Sequence, residues 1–116
     1  MSWPKILKHS LSKTEINELA KEFFGDMIKV VVDVEEGLIA AGCSLHADAE
    51  QILLKHGSKQ ENIWGANYFP GRKNGEKIEY TSLINIRPRK GNKSQFIQDA
   101  DIKKKVGNII KGYFEE

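Results

Sequence analysis

The chain has 116 residues, with 18 Lys and Arg against 16 Asp and Glu, 40% hydrophobic residues, 29% charged residues and a net charge of +2. This is enough for one domain with one core, which excludes a two-domain arrangement, and the composition excludes intrinsic disorder. The net charge is too small to mark a nucleic-acid binder by itself.

Taken in order, Ile6 and Leu7, between Pro4 and Ser10, suit a short edge strand. Ser12 with Glu15 three residues on forms a capping box, opening a helix whose apolar stripe is Ile16, Leu19, Ala20, Phe23 and Phe24 and whose stop is Gly25. Ile28 to Val34 is rich in β-branched residues, and Glu35-Glu36-Gly37 connects it tightly to Leu38 to Cys43, so the two read as a hairpin. His46 to His56, ended by Gly57, reads as a second helix with Ala49, Ile52 and Leu53 facing the core. Ile63 to Phe69 is a third main strand in which Gly65 marks a bulge or a close contact.

Pro70 to Glu76 is a turn-rich connection to the stretch Lys77 to Arg87, where Ile78, Tyr80, Ser82, Ile84 and Ile86 alternate with Glu79, Thr81, Leu83, Asn85 and Arg87. That alternation predicts a long strand ended by Pro88. A basic loop follows, and then a helix capped by Asp99 or Asp101, with Ile102, Val106, Ile109, Ile110 and Tyr113 on one face and Lys103, Lys104 and Lys105 toward solvent. The order β-α-β-β-α-β-β-α describes a single α+β domain over residues 1–116, with three helices and a mainly antiparallel sheet of about four to five strands. Helices are expected on one sheet face, leaving the other to solvent, a ligand or a second subunit, so a homodimer is one partner reading.

Cys43 stands alone, which excludes an internal disulfide and suits a reducing compartment. The start carries no signal-peptide pattern, and the longest apolar charge-free run, Gly37 to Leu45, is far short of the roughly 20 residues that span a bilayer. A cytoplasmic protein without membrane contact is the expectation.

The cationic half of the chain is the second: residues 59–116 hold twelve Lys or Arg and seven acids, while residues 1–58 hold six Lys and nine acids. Within it the loop from Arg87 to Ser94 gathers Arg87, Arg89, Lys90 and Lys93 around Gly91 and Asn92, a composition suited to an anion site with backbone N–H groups converging in a nest. The plain alternative is a solvated connecting loop. Arg87, at a strand end beside Asn85, suits bidentate grip on carboxylate or phosphate, or else a salt bridge to a neighbour such as Asp33 or Glu35.

His46, Asp48 and Glu50 are the acid, base or ligand candidates. On a helix His46 and Glu50 share a face while Asp48 points elsewhere; Asp33 from the hairpin completes a conceivable divalent-metal set, and no other cofactor is expected. Their alternative role is helix-start electrostatics. Cys43 is a weak nucleophile candidate and a better small buried hydrophobe. Trp64 and Tyr68 share a strand face and would stack on bases if exposed, though core packing is the commoner fate. No Walker, dinucleotide or RNA-binding pattern is present.

The motifs Leu45 to Glu50 (LHADAE), Gly57-Ser58, Trp64 to Asn67 (WGAN), Ser82 to Pro88 (SLINIRP) and Gly91-Asn92-x-Ser94 resemble a small family of bacterial and archaeal proteins known only as a domain of unknown function. The resemblance covers most of the chain. It implies a compact prokaryotic protein and no assigned activity, and it singles out His46, Asp48, Glu50, Trp64, Asn67, Asn85, Arg87, Asn92 and Ser94. The leading expectation is an anion-binding protein, with a phosphate-bearing or carboxylate ligand or nucleic acid held by Asn67, Asn85, Arg87, Arg89, Lys90, Asn92, Lys93 and Ser94. A metal-assisted hydrolase using His46, Asp48 or Glu50 with Arg87 is the alternative, and a homodimeric interaction module a third.

Overall fold

The computed structural model describes residues 3–114. Its elements are β1 (Lys5–Ile6), α1 (Lys13–Phe23), β2 (Ile28–Asp33), β3 (Leu38–Ala41), α2 (His46–His56), β4 (Ile63–Tyr68), β5 (Ile78–Glu79) and α3 (Ala100–Phe114). Three 3-10 turns, Gln60–Asn62, Leu83–Asn85 and Pro88–Lys90, lie between them. The five strands form one antiparallel sheet in the order β1-β3-β2-β4-β5, so the α+β class and the order of elements are those the sequence predicts.

Local chemistry sets the helix ends. The Ser12 hydroxyl accepts the Glu15 N–H at 3.1 Å and the Glu15 carboxylate accepts the Ser12 N–H at 2.8 Å, the reciprocal pair of a capping box. Asp99 caps α3, its Oδ1 accepting from Asp101 N–H at 2.8 Å and Ile102 N–H at 3.0 Å. α2 stops where Gly57 turns left-handed at φ +116°, a conformation that costs a residue with a Cβ.

The expectation of helices on one face only is overturned. α1 and α3 pack Ile16, Leu19, Val106, Ile110 and Phe114 against Val30, Val32, Trp64, Ala66 and Tyr68 on one side of the sheet. α2 packs Ala49 and Leu53 against Val31, Ala40 and Ile63 on the other. The reason is visible in β2, where Val30, Val31 and Val32 run without a polar interruption. A strand covered on both faces requires that pattern, which a half-solvated one does not show.

The other correction concerns the predicted strand from Lys77 to Arg87. Only Ile78 and Glu79 pair with β4, opposite Tyr68 and Asn67. Beyond them Thr81 makes a single bridge to Phe96, the Ser82 hydroxyl accepts the Ile84 N–H at 3.3 Å, and the chain winds into the Leu83–Asn85 turn. The predicted faces are broken: Asn85, from the outward set, is buried, while Ile86, from the inward one, is exposed. Apolar alternation alone does not distinguish a strand from a turn that a serine side chain closes locally.

Gly65 makes this departure sterically feasible. A Cβ there would stand 2.7 Å from Ser82 Cβ, 2.8 Å from its Oγ and 3.2 Å from His46 Cδ2, so the close-contact reading of this glycine holds. Gly65→Ala is therefore expected to lower the unfolding free energy by about 1–3 kcal/mol in denaturant titration. Gly71→Ala, whose added methyl meets nothing within 4 Å, should leave it unchanged or slightly raised.

Candidate functional site

Because the long strand does not form, the outer edge of β4 at Gly65 has no ladder partner from the backbone. The Asn85 amide supplies one: Oδ1 accepts the Gly65 N–H at 2.8 Å and Nδ2 donates to the Gly65 carbonyl at 3.0 Å. Nδ2 also donates to the Gln95 carbonyl at 3.0 Å. Flipping the amide would oppose donor to donor and acceptor to acceptor at Gly65, so its orientation is fixed by its partners.

Asn92 does the same for the loop that follows. Its Nδ2 donates to the carbonyls of Asn85, Ser94 and Phe96, each at 2.8 Å, and its Oδ1 accepts the Gln98 N–H at 2.8 Å. The backbones of Arg87 and Asn92 exchange hydrogen bonds of 2.7 and 3.1 Å, closing a tight turn over Pro88–Lys90. Within it the N–H groups of Lys90 and Gly91 donate to Arg87 and Pro88 carbonyls. These N–H groups are engaged inside the turn and do not converge outward.

What faces outward is an open groove of about 610 Å³ between α2, the Gln60–Asn62 turn and the segment from Leu83 to Lys90. Its lining includes Glu50, Glu61, Arg87, Arg89 and Lys90 together with Leu83, Ile84 and Ile86. Lys90 Nζ pairs with Glu61 at 3.4 Å near the surface, and Arg89 is exposed.

Arg87 is the unusual member. Its guanidinium lies 4.9 Å from the Trp64 ring centroid, and Nη2 is 3.7 Å from Glu50 Oε2, close enough for charge attraction but too far for a hydrogen bond. Only 12% of the side chain is exposed, and Nη1 and Nη2 are covered without any hydrogen-bond acceptor. Trp64 Nε1, on the ring beneath, likewise lacks one. Burial pulls the Arg87 pKa below the ordinary arginine value, with Glu50 opposing, and the group stays charged. The salt-bridge partner is thus Glu50 rather than Asp33 or Glu35.

The remaining candidates are placed elsewhere. His46 is buried, and its Nε2–H donates to the Ala66 carbonyl at 2.8 Å, above the sheet and outside the groove lining. Burial first, then the charge of Lys29, pushes its pKa down to about 4, although the Ala66 bond and the neighbouring Asn67 amide act in the other direction. Asp48 is exposed in the first turn of α2. Asp33 Oδ1 caps the β2–β3 turn by accepting the N–H groups of Glu35 and Glu36, while its buried Oδ2 has no partner.

Among the described residues no three His, Cys, Asp or Glu side chains come together as a metal set, so Asp33, His46 and Glu50 do not converge. Asn67 Nδ2 donates to the Thr81 carbonyl at 3.4 Å, the Ser94 hydroxyl accepts the Phe96 N–H at 3.1 Å, and the Lys93 side chain is exposed. Cys43 is a buried thiol with its pKa pushed up to about 11 by burial. Trp64 and Tyr68 are core residues, so neither ring face is offered to a base. Among the described residues no helix is long and apolar enough to cross a membrane.

Sequence reasoning missed Glu61, Leu83 and Ile86 as groove residues. Their only signal was apolar character in a stretch already read as strand, and an acid in a short connection.

Fold and site together define a small α+β protein in which a side-chain-pinned loop flanks a cationic, partly apolar groove. A family model described as protein of unknown function (DUF5674) matches residues 5–113, and the chain belongs to that family. No curated protein and no solved structure matches it.

Asn85→Ala leaves the Gly65 N–H and carbonyl without their partner, and a loss of about 2–4 kcal/mol in unfolding free energy is expected, with faster hydrogen exchange at the Gly65 amide. His46 generates a pH signature. Its pKa is about 4 in the folded protein against an ordinary 6.5, so the unfolded chain takes up the proton first and stability falls as pH drops through that window. About 3 kcal/mol is lost across it. Denaturant titrations from pH 7 to pH 4 should show this slope in the native protein and a flatter one in His46→Gln.

Proposed function

We propose that the protein binds a ligand bearing a carboxylate or phosphate group in the groove, with Arg87 as the anchor and Arg89 and Lys90 at the rim. The observation that carries this reading is the Arg87 guanidinium, charged and covered, whose two terminal nitrogens have no acceptor although Glu50 lies 3.7 Å away. Four N–H bonds without acceptors are costly in a folded chain, and an anion offers acceptors in the fork geometry that guanidinium favours. Arg87 is itself part of the groove lining, so an anion seated there lies against its side chain.

The asparagines serve a different purpose. Asn85 and Asn92 have their amides engaged with the backbone, so they hold the loop that presents Arg87, and ligand contact falls to the cations. Hydrolysis finds less support, because His46 donates its Nε2–H to a carbonyl and lies outside the groove lining. Nucleic acid also fits less well, since a polyanion favours an extended run of cations without acids among them, and Glu50 and Glu61 line this groove.

Titrating acetate and inorganic phosphate at low salt, read by backbone amide chemical shifts, tests the proposal. Saturable shifts at Arg87 and its neighbours are expected, weakened by about tenfold or more in Arg87→Ala, weakened in Arg87→Lys, and unchanged in Lys111→Ala on α3. Absence of saturable shifts for both anions, or equal binding by Arg87→Ala, would overturn it.

A further inference from the structure

We infer that the natural occupant of this groove is an extended peptide segment of a partner protein in which a carboxylate side chain and a large apolar one lie two residues apart, on one face. The inference rests on the anion reading above and narrows it. Two observations carry it, one of charge and one of exposed apolar surface.

The ionic groups that line the groove are Arg87, Arg89 and Lys90 against Glu50 and Glu61, a net of one positive charge. A single carboxylate balances that, whereas a phosphate dianion would leave an excess of negative charge beside two acids. The second observation is the distribution of exposed apolar side chains. Of the five large hydrophobic residues exposed among those described, four lie on the segments that meet around Ser82 to Asn85: Leu83 at 70%, Leu45 and Phe96 at 62%, and Ile86 at 42%. Leu83 and Ile86 line the groove itself. Phe96 is in the bridge to Thr81, and Leu45 precedes His46, which packs over Gly65 beside Ser82. Leu83 and Ile86, exposed together in the lining of a groove that also carries cations, suit a contact surface.

The shape of the surface selects among apolar carboxylates. The groove is open and its apolar side chains come from separate segments, so it offers no enclosure for an acyl chain, which small-ligand pockets provide by burying most of their ligand. An anionic bilayer would meet Glu50 and Glu61 inside a concavity that a flat surface does not enter. An extended peptide fits better, because its alternate side chains repeat every roughly 7 Å on one face and place an acidic and an apolar group at separate points. The carboxylate meets the Arg87 fork, and the apolar side chain covers Leu83 and Ile86.

The test is fluorescence anisotropy with a labelled, blocked hexapeptide that carries one glutamate and one leucine two residues apart among alanines, run against the same peptide with glutamine for the glutamate (leucine–glutamine) or alanine for the leucine (alanine–glutamate), with acetate and decanoate as unlabelled competitors. The leucine–glutamate peptide is expected to bind on the order of tenfold tighter than either companion, and Leu83→Ser and Arg87→Gln each to weaken it by a similar factor. Leu83 is exposed, so its replacement leaves the fold in place. If acetate binds at Arg87 but the three peptides bind alike, the peptide inference falls and the anion reading stands. If neither acetate nor any peptide binds, both fall. Decanoate competing as strongly as the unlabelled leucine–glutamate peptide would overturn the inference in favour of a free aliphatic acid.

Discussion

The amide of Asn85 substitutes for a missing strand. Where an antiparallel neighbour would exchange two hydrogen bonds with Gly65, one side chain supplies both, and its spare N–H reaches across to the Gln95 carbonyl. A ladder shares its load along many residues, so that losing one bond leaves the others in register. Here the edge of β4, the return of the chain from Gln95 and the Leu83–Asn85 turn all depend on a single buried side chain. Burial raises the stakes, since each backbone group left without its partner would be desolvated and unpaired.

The two covered faces of the sheet then determine what surrounds Arg87. α2 lies on the opposite face from α1 and α3, and its one turn from His46 to Glu50 has two structural roles: His46 bonds down onto β4 at Ala66, and Glu50 extends to the guanidinium. Trp64 comes from the strand that Asn85 secures. Arg87 therefore sits where three separately built elements meet, between an aromatic ring and a carboxylate that attracts it without bonding to it. Such an ion pair adds little stability, because desolvation offsets much of the attraction.

Much of this was legible in the chain. The capping box at Ser12, the cap at Asp99, the bounds of α2 and the hairpin of β2 and β3 follow from local rules that tertiary structure did not override. The burial of β2 on both faces was also written there, in three consecutive valines, but a short apolar run carries no mark of which helix covers which face. The stretch after Glu79 was misread for a clearer physical reason. Its alternation is real, yet Ser82 and Asn85 carry side chains that can imitate backbone hydrogen bonding, and whether they do depends on a residue seventeen positions before Ser82, a glycine whose missing Cβ leaves room. The family resemblance singles out Asn67, Asn85, Arg87 and Asn92 among its polar positions; that the asparagine amides bind backbone while Arg87 is left without acceptors is a distinction only geometry makes.

Asn85 and Asn92 anchor the loop from its two ends, and between them Arg87 to Gly91 touches the rest of the protein mainly through Arg87 and the Lys90–Glu61 pair. Residues that hold the fold and residues that face the groove thus interleave within eight positions instead of occupying separate parts of the chain. Pro88 to Gly91 forms a short cassette clamped by the Arg87–Asn92 bridge, whose chemistry is largely uncoupled from the sheet. A scaffold of this kind can change the charge and shape that its groove presents at the tip of the loop while the two clamps, and the architecture they secure, remain as they are.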